Sequence, residues 1–453
     1  MRGITASDVI VLMEMVKLAE RIKPSQHAKR EVLRRYGLEG SPHDRFLTGV
    51  FYNIMKYLGP IDKVIKELTD IPEIHIVDPW LRAALRVFTF LLVFETKVVS
   101  SRKDKEELVD QFKKRIRDFM IKKTNLMATL YLEKYLKRLV VYKYVPKSEE
   151  ERLELKYLLP YWFIKRMEEL LGEKEAKELF EYFNTPPIIS VRVNTLKATV
   201  EEVAEALRRE GKEVKVSKVV PTVLRFEGPY NFSRSPLFNK GKIVIQEEAA
   251  ALASIILDPN PGEVVVDLCA APGGKTTHMA ELMRNKGVIY AFDVDDLRLE
   301  QLRKNLRRTG TYKIVRVIKR DGREAPDLLG KGIADKVLVD APCTSEGTIM
   351  KNQELRWRIN RDDIIKLARL QKELLMAAIE LTRPGGRILY TTCALLLEEN
   401  ECIVRNILSI FGDQVRLVPI NGPYSEGFIP GTMRAWPHRH KTIGFFYALF
   451  ERI

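Results

Sequence analysis

Apolar residues recur at helical spacing from the start of the chain. Val9, Ile10, Leu12, Met13, Val16 and Leu18 form one run, and Phe46, Val50, Ile54 and Leu58 another. Breaks fall at Lys23-Pro24-Ser25, Gly40-Ser41-Pro42 and Gly59-Pro60, where proline or glycine stops a helix. No strand-like alternation precedes Val140, so residues 1–145 are expected to form an all-α domain. A polar hinge, Pro146-Lys147-Ser148-Glu149-Glu150-Glu151, follows. Residues 151–185 read as helical again, 188–194 alternates as a strand, 199–210 is amphipathic at helical spacing, and 213–219 and 222–227 are strand-like. That pattern predicts a small α+β module over 146–240.

From 241 the pattern becomes strand, glycine turn and helix in repetition. Candidate strands are 264–268, 288–293, 314–319, 336–340, 387–392, 415–419 and 443–450, with helices at about 274–284, 296–308, 361–382 and 398–410. Alternation of this kind predicts an α/β domain over 241–453, with a Rossmann-like parallel sheet covered on both faces. Ligands of such sheets bind beyond the carboxyl ends of the strands, at the switch point, so the chemistry is sought there.

Composition narrows the partners. With 453 residues the chain is long enough for roughly two to four domains, and 45% hydrophobic content excludes disordered, collagen-like and coiled-coil classes. A net charge of +15 points to a polyanionic partner, with nucleic acid ahead of an anionic membrane surface. Residues 1–150 hold 29 Lys and Arg against 20 Asp and Glu, and 111–143 alone hold 10 against 2. A charge run is usually a solvated helix face. Here Phe112, Phe119, Tyr131, Tyr135 and Tyr142 are interleaved, which also suits contacts to RNA backbone and bases. Four cysteines, at 269, 343, 393 and 402, are too few for a disulfide framework and lack zinc-site spacing, so no metal is expected. Met1-Arg2-Gly3-Ile4-Thr5 opens no secretory segment, and the apolar run 87–94 is far short of the roughly 20 residues of a membrane span. A cytoplasmic protein with reduced thiols, no membrane contact and a monomeric state is expected.

The first strand of the α/β domain runs into Asp267-Leu268-Cys269-Ala270-Ala271-Pro272-Gly273-Gly274-Lys275-Thr276-Thr277. Small residues let a ligand approach the backbone, and the next helix offers its N-terminal amides. Position 269 is cysteine where a Walker A loop needs glycine, and no G-x-G-x-x-G is present, so the turn suits a ligand with little phosphate. Asp293 ends the second strand, where an acid suits ribose hydroxyls, and Asp321-Gly322 follows the third, where one suits an adenine amino group. Such acids are often helix caps. Three at consecutive strand ends, Asp267, Asp293 and Asp321, favour a nucleoside site, and S-adenosylmethionine fits it. The fourth strand gives Asp340-Ala341-Pro342-Cys343 and the fifth Tyr390-Thr391-Thr392-Cys393. A lone cysteine is usually core. Two at the exits of neighbouring strands should open into one cleft. A thiolate added at carbon 6 of a pyrimidine makes carbon 5 nucleophilic toward a sulfonium methyl, and Asp340 can favour protonation at nitrogen 3.

The strings DLCAAPGGKT, DAPCTSEGT and TTCALLLEEN, with Arg192-Val193-Asn194-Thr195, Gln246-Glu247-Glu248-Ala249 and Gly444-Phe445-Phe446, resemble RNA cytosine-C5 methyltransferases of the Sun/RsmB group, relatives of the Nop and NSUN proteins, over roughly 150–453. The resemblance implies a class I S-adenosylmethionine methyltransferase with Cys393 as nucleophile, Cys343 assisting product release, Asp340 as catalytic aspartate and Lys275 reaching toward the base. It implies a cofactor held by Cys269, Ala270, Ala271, Pro272, Gly273, Gly274, Lys275, Asp293, Arg298, Asp321, Gly322 and Asp340. It also implies an RRM-like RNA-binding module before the catalytic domain, and the first 140 residues are similar in size, helix content and charge to a NusB-like domain, which favours small-subunit ribosomal RNA as substrate. Transfer RNA, or a silent role in ribosome assembly, are the alternatives. One departure is that many members have Ser-Gly after the Pro-Cys cysteine, where this chain has Thr344-Ser345-Glu346-Gly347.

Overall fold

The computed structural model describes residues 4–22, 24–95, 99 and 101–453. Contacts gather the chain into two compact units, residues 1–184 with 351–358, and 185–350 with 359–453. The first unit is helical. Several of its helices start where the sequence supplies an acceptor for their free amides: Thr5 and Asp8 form a capping box on Ala6–Ala19, and Ser41, Asp78 and Asn125 cap Pro42–Lys56, Pro79–Thr89 and Leu126–Val141. The breaks at Pro24-Ser25 and Gly40-Ser41-Pro42 separate helices, Lys23 lying outside the described residues together with Met1, Arg2 and Gly3. Helices Glu149–Tyr157, Tyr161–Leu171 and Glu173–Tyr182 belong to this unit, so the polar hinge at 146–151 does not divide the contacts.

Two of the five aromatics interleaved with the basic run are core residues and the other three are half-buried against the core. Phe112 and Tyr135 are buried, while Phe119, Tyr131 and Tyr142 pack against the same cluster. Tyr135 Oη lies 2.6 Å from Thr89 Oγ1, and the Phe112 ring meets Phe88 edge-on at 5.6 Å. Base stacking by Phe112 and Tyr135 is therefore withdrawn. Exposed Lys113, Lys114, Arg115, Lys122, Lys123, Lys134 and Lys137 keep the basic surface.

Residues 351–358 fold into the helical unit although the sequence on either side belongs to the second unit. Arg356, 1% exposed, donates to Tyr157 O, Leu158 O and Phe183 O at 3.2, 3.1 and 2.7 Å, capping the carbonyl ends of two helices. Trp357 Nε1 donates to Lys56 O at 2.7 Å, and Glu354 accepts from Ser25 N and Oγ at 2.7 and 2.8 Å.

The second unit opens with an antiparallel sheet of β1 (Ile189–Val193), β2 (Lys215–Val216), β3 (Val223–Phe226) and β4 (Ile243–Ile245), in the order β2-β3-β1-β4. The last strand lies beyond the expected edge of the module at 240. Val191, Val193, Leu224 and Phe226 pack on Val203, Ala204 and Leu207 of helix Val200–Arg209. On the opposite face Ser190, Arg192 and Val223 are buried, Val223 within the catalytic core beside Ala249 and Leu252. An RNA recognition module stacks bases on its sheet face. Here that face is covered, so any contact with RNA falls to the edges and loops.

The large sheet comprises β5 (Val264–Asp267), β6 (Val288–Asp293), β7 (Val315–Lys319), β8 (Ala334–Asp340), β9 (Thr382–Thr392), β10 (Val415–Val418), β11 (Ser425–Glu426), β12 (Met433–Ala435) and β13 (Phe445–Arg452). β7-β6-β5-β8-β9 are parallel neighbours, while β13 pairs antiparallel with β9 and with β10 and β12. The sheet is thus mixed rather than wholly parallel. Alternate residues feed two cores: Val265, Ile289, Leu338 and Leu389 face one cluster, and Val266, Phe292, Val337, Val339 and Ile388 the other. The strand order reverses between β5 and β8, which sets the switch point beside Asp267 and Asp340.

Candidate active site

Small residues shape the turn after β5. Gly273 has φ +101°, and a Cβ there would sit 2.5 Å from Leu302 Cδ1, so only glycine fits. No side chain caps helix Gly274–Leu282, which leaves its first amides facing the turn. The turn is held from outside: Ala270 N donates to Phe292 O at 2.8 Å, Ala271 N to Asp293 Oδ2 at 3.1 Å and Asn305 Nδ2 to Pro272 O at 2.8 Å. Arg298 donates to Ala271 O and lies 3.4 Å from Asp293 Oδ2, so in this structure it braces the loop.

The three strand-end acids differ. Asp267 is 1% exposed and accepts from Thr276 Oγ1 at 2.7 Å, and burial raises its carboxyl to about 7. It serves the turn itself, and its Oδ1 has no hydrogen-bond partner. Asp293, 5% exposed, accepts from the amides of Ala271 and Asp295. Asp321 is half-buried and gripped by Arg323, which holds its carboxyl below the usual range. Gly322 lies so close to β5 that a Cβ would stand 2.5 Å from Leu268 O. An uncapped helix start, a glycine turn and two acids on the next strands form a donor set suited to the amino acid, ribose and adenine of S-adenosylmethionine. Cys269 lies in this turn, and burial lifts its thiol well above the ordinary value.

β8 and β9 bring the catalytic candidates together, with Asp340 opposite Thr391. Asp340 accepts from Lys275 Nζ at 2.7 Å and from Thr391 Oγ1 at 3.0 Å. Lys275 Nζ also lies 5.0 Å from the centre of the Phe445 ring. Beyond the strand ends, Cys343 Sγ and Cys393 Sγ are 3.3 Å apart. Contact with the Cys343 thiol lowers Cys393, and Lys275 adds to the effect. The same hydrogen bond, then burial, then the charge of Glu399, raises Cys343 well above the ordinary value. Where the sequence departs from Ser-Gly, Gly347 meets the tight spot: a Cβ there would be 2.4 Å from Gly444 O and 2.7 Å from Cys393 O. Cys402 lies apart on helix Glu401–Phe411.

Sequence reasoning passed over three contributors. Arg192, fully buried, reaches from β1 to Gln246 Oε1 at 2.6 Å, Thr277 Oγ1 at 3.0 Å and Glu281. Its signal was an arginine in an otherwise apolar strand. Glu346 and Glu399 lie buried behind the two cysteine loops, each within a motif quoted above for its cysteine.

Residues 254–451 match the family model described as "16S rRNA methyltransferase RsmB/F", and 159–233 a ferredoxin-like domain of RsmF/B-like methyltransferases. A Synechocystis protein named "Probable ribosomal RNA small subunit methyltransferase B" is 32% identical across 91% of this chain and 92% of its own. The Schizosaccharomyces pombe "25S rRNA (cytosine-C(5))-methyltransferase nop2" is 33% identical over 63% of this chain and 49% of its own. Among solved structures, PH0851 superposes with a TM-score of 0.91 at 49% identity over 99% of both chains. NSun6 from Pyrococcus horikoshii with SFG superposes at 0.59 and 27% identity, over 64% of this chain and 97% of that one. With nearly its whole length shared with a relative at 32% identity and with its glycine turn and thiol pair at neighbouring strand ends, the chain belongs to the RsmB/F family of S-adenosylmethionine-dependent methyltransferases.

Proposed function

We propose that the protein methylates carbon 5 of a cytosine in small-subunit ribosomal RNA, in the cytoplasm, through a covalent adduct between Cys393 and carbon 6. The observation carrying this reading is the pair of sulfurs 3.3 Å apart beside the Lys275–Asp340 pair. The Cys393 thiolate adds to carbon 6, the carbon 5–carbon 6 π pair shifts into an enamine, and nitrogen 3 takes a proton at the Lys275–Asp340 pair. Residues 270–274, Asp293 and Asp321 would hold S-adenosylmethionine, which when bound would supply an electrophilic methyl group for carbon 5, the S–CH3 bond breaking to leave a neutral thioether. Loss of the carbon 5 proton to a base then re-forms the double bond, nitrogen 3 gives up its proton and Cys393 leaves as thiolate. Cys343, kept neutral beside it, assists that release. A stacked, paired cytosine hides carbon 6, so the target is single-stranded or flipped out. The basic helical unit supplies backbone affinity.

The test incubates each variant with labelled S-adenosylmethionine and RNA. Cys343→Ala is expected to accumulate a protein–RNA adduct that survives denaturing gels, and Cys393→Ala to form none. The reverse pattern overturns the assignment of the nucleophile. Absence of label in any cytosine with the unmodified protein overturns the methyltransferase reading, and bisulfite mapping identifies the RNA.

A further inference from the structure

The two cysteine loops hold each other through a pair of buried carboxyls. Glu399, on the loop after Cys393, accepts from Thr344 N at 3.0 Å and meets Thr344 Oγ1. Glu346, on the loop after Cys343, accepts from Leu395 N at 3.2 Å and lies 2.6 Å from the same Thr344 Oγ1. Neither carboxyl is exposed. Gln371 Nε2 joins the arrangement by donating at 2.8 Å to both Glu399 Oε1 and Pro342 O. Each loop thus sends a glutamate into the other.

A hydroxyl has one hydrogen, so Thr344 can donate to only one of the two carboxyls. The other contact is a hydrogen bond only if that carboxyl carries a proton and donates it to Thr344. Two ionised carboxylates buried around one hydroxyl would repel, so a single shared proton satisfies every atom. Burial and the charge of Glu399 push Glu346 up to about 8, and burial raises Glu399 as well. Among the described residues, none of the hydrogen-bond partners given above for the two carboxyls is a cation. Glu398 raises Glu399, and Cys343 and Tyr390 are themselves raised by Glu399. The Tyr390 hydroxyl donates to Glu399 O at 2.5 Å, while Arg434 is spent on Glu401 and Leu395 O.

We propose that Glu346 and Glu399, bridged by Thr344 and sharing one proton, are positioning residues that hold the Cys343 and Cys393 thiols in contact for the reaction. The proposal rests on the reading of those thiols as catalytic, yet their proximity can be measured without turnover.

The experiment uses the full chain and two readouts. Diamide takes two hydrogens from neighbouring thiols to leave a disulfide, followed by intact mass, and methyl transfer to RNA is measured across pH. Thr344→Val and Glu399→Ala are expected to slow both disulfide closure and kcat by about tenfold or more, with the S-adenosylmethionine KM within about threefold. Thr344→Ser is expected to restore both rates. Activity of the unmodified protein falls as pH rises past about 8 and the shared proton is lost, whereas Glu346→Gln, a permanent donor to Thr344, keeps its rate there. Disulfide closure at the unmodified rate in Thr344→Val and Glu399→Ala overturns the clasp. Slowed closure with unchanged kcat leaves the clasp standing and overturns the catalytic reading of the thiol pair, and with it this proposal.

Discussion

Replacing Arg192 by methionine removes the guanidinium that ties the small sheet to the cofactor helix. Its Nε donates to Gln246 Oε1 at 2.6 Å and its Nη2 to Thr277 Oγ1 at 3.0 Å and Gly274 O at 3.4 Å, while Nη1 pairs with Glu281. All of this is inside: the side chains of Arg192 and Glu281 are 0% and 2% exposed. Taking one partner from a buried ion pair costs about 3–5 kcal/mol, because the other charge stays behind without compensation. Burial already raises Glu281 to about 7, so near neutrality it can take up a proton, and the cost lies toward the lower bound. Above that value the orphaned carboxylate must ionise or stay protonated at a penalty, so the cost grows with pH by up to about 1.4 kcal/mol per unit. The double variant Arg192→Met/Glu281→Leu removes both charges and should return to within about 1 kcal/mol of the unmodified protein, well below the sum of the two single variants. Guanidinium unfolding at pH 6 and pH 8 reads the cycle. Calorimetry should show S-adenosylmethionine bound at least about tenfold more weakly by Arg192→Met, since Gly274 and Thr277 lie on the helix that follows the cofactor turn. A loss below about 1 kcal/mol, or a double variant whose cost is the sum of the singles, refutes the reasoning.

Two further outcomes follow from the charges. Burial holds the carboxyls of Asp267 and Glu281 at about 7 against ordinary values of 3.8 and 4.5, so between roughly pH 4 and 7 the folded state binds more protons than the unfolded state. Their contribution is complete below the unfolded values and lost as pH rises through the folded ones. Buried His278, whose imidazole is held well below its ordinary value, acts in the opposite sense, so the difference is the test: between pH 5 and 7 the stability of Asp267→Asn should fall less steeply than that of the unmodified protein by up to about 1.4 kcal/mol per pH unit, and parallel profiles contradict it. On the helical unit, replacing the exposed Lys122, Lys134 and Lys137 by glutamine should weaken binding to RNA of any sequence and reduce the slope of log affinity against log salt by about 0.7–0.9 per lost phosphate contact. An unchanged slope places the RNA elsewhere.

The catalytic half was legible because its strands are apolar on both faces, end in acids or cysteines, and are punctuated by glycines, so period and spacing agree. Asp340 and Thr391 face each other across β8 and β9 as adjacent strand ends should. The closing strands escaped this logic: β11 and β12 have two and three residues, too short for a period. Residues 351–358 escaped it differently. A string as polar as Lys351-Asn352-Gln353-Glu354-Leu355-Arg356 reads as a surface loop, yet Arg356 is buried because three carbonyls at helix ends, distant in sequence, solvate its charge. The burial of Arg192 was out of reach for the same reason, since a buried charge is decided by partners that no local window contains.

The basic run holds a lesson about spacing. Phe112, Ile116 and Met120 follow one another at four-residue intervals, and all three are buried. Lys113, Lys114 and Arg115 fill the positions between them and face outward. One helical period therefore sorts the aromatics inward and the charges outward, and an interleaved string of both separates into two faces once it coils. What remains outside is charge, which attracts phosphates along a backbone but does not read bases. With the sheet face of the small module also buried, the proposed reaction would put selection of one cytosine in the second unit, where Cys343 and Cys393 meet. The helical unit should then set affinity and its salt dependence, while substitutions around Asp340, Cys343 and Cys393 alone change which base reacts. Charge reversal on Leu126–Val141 that altered the methylated position, rather than the rate at every position, would contradict this division.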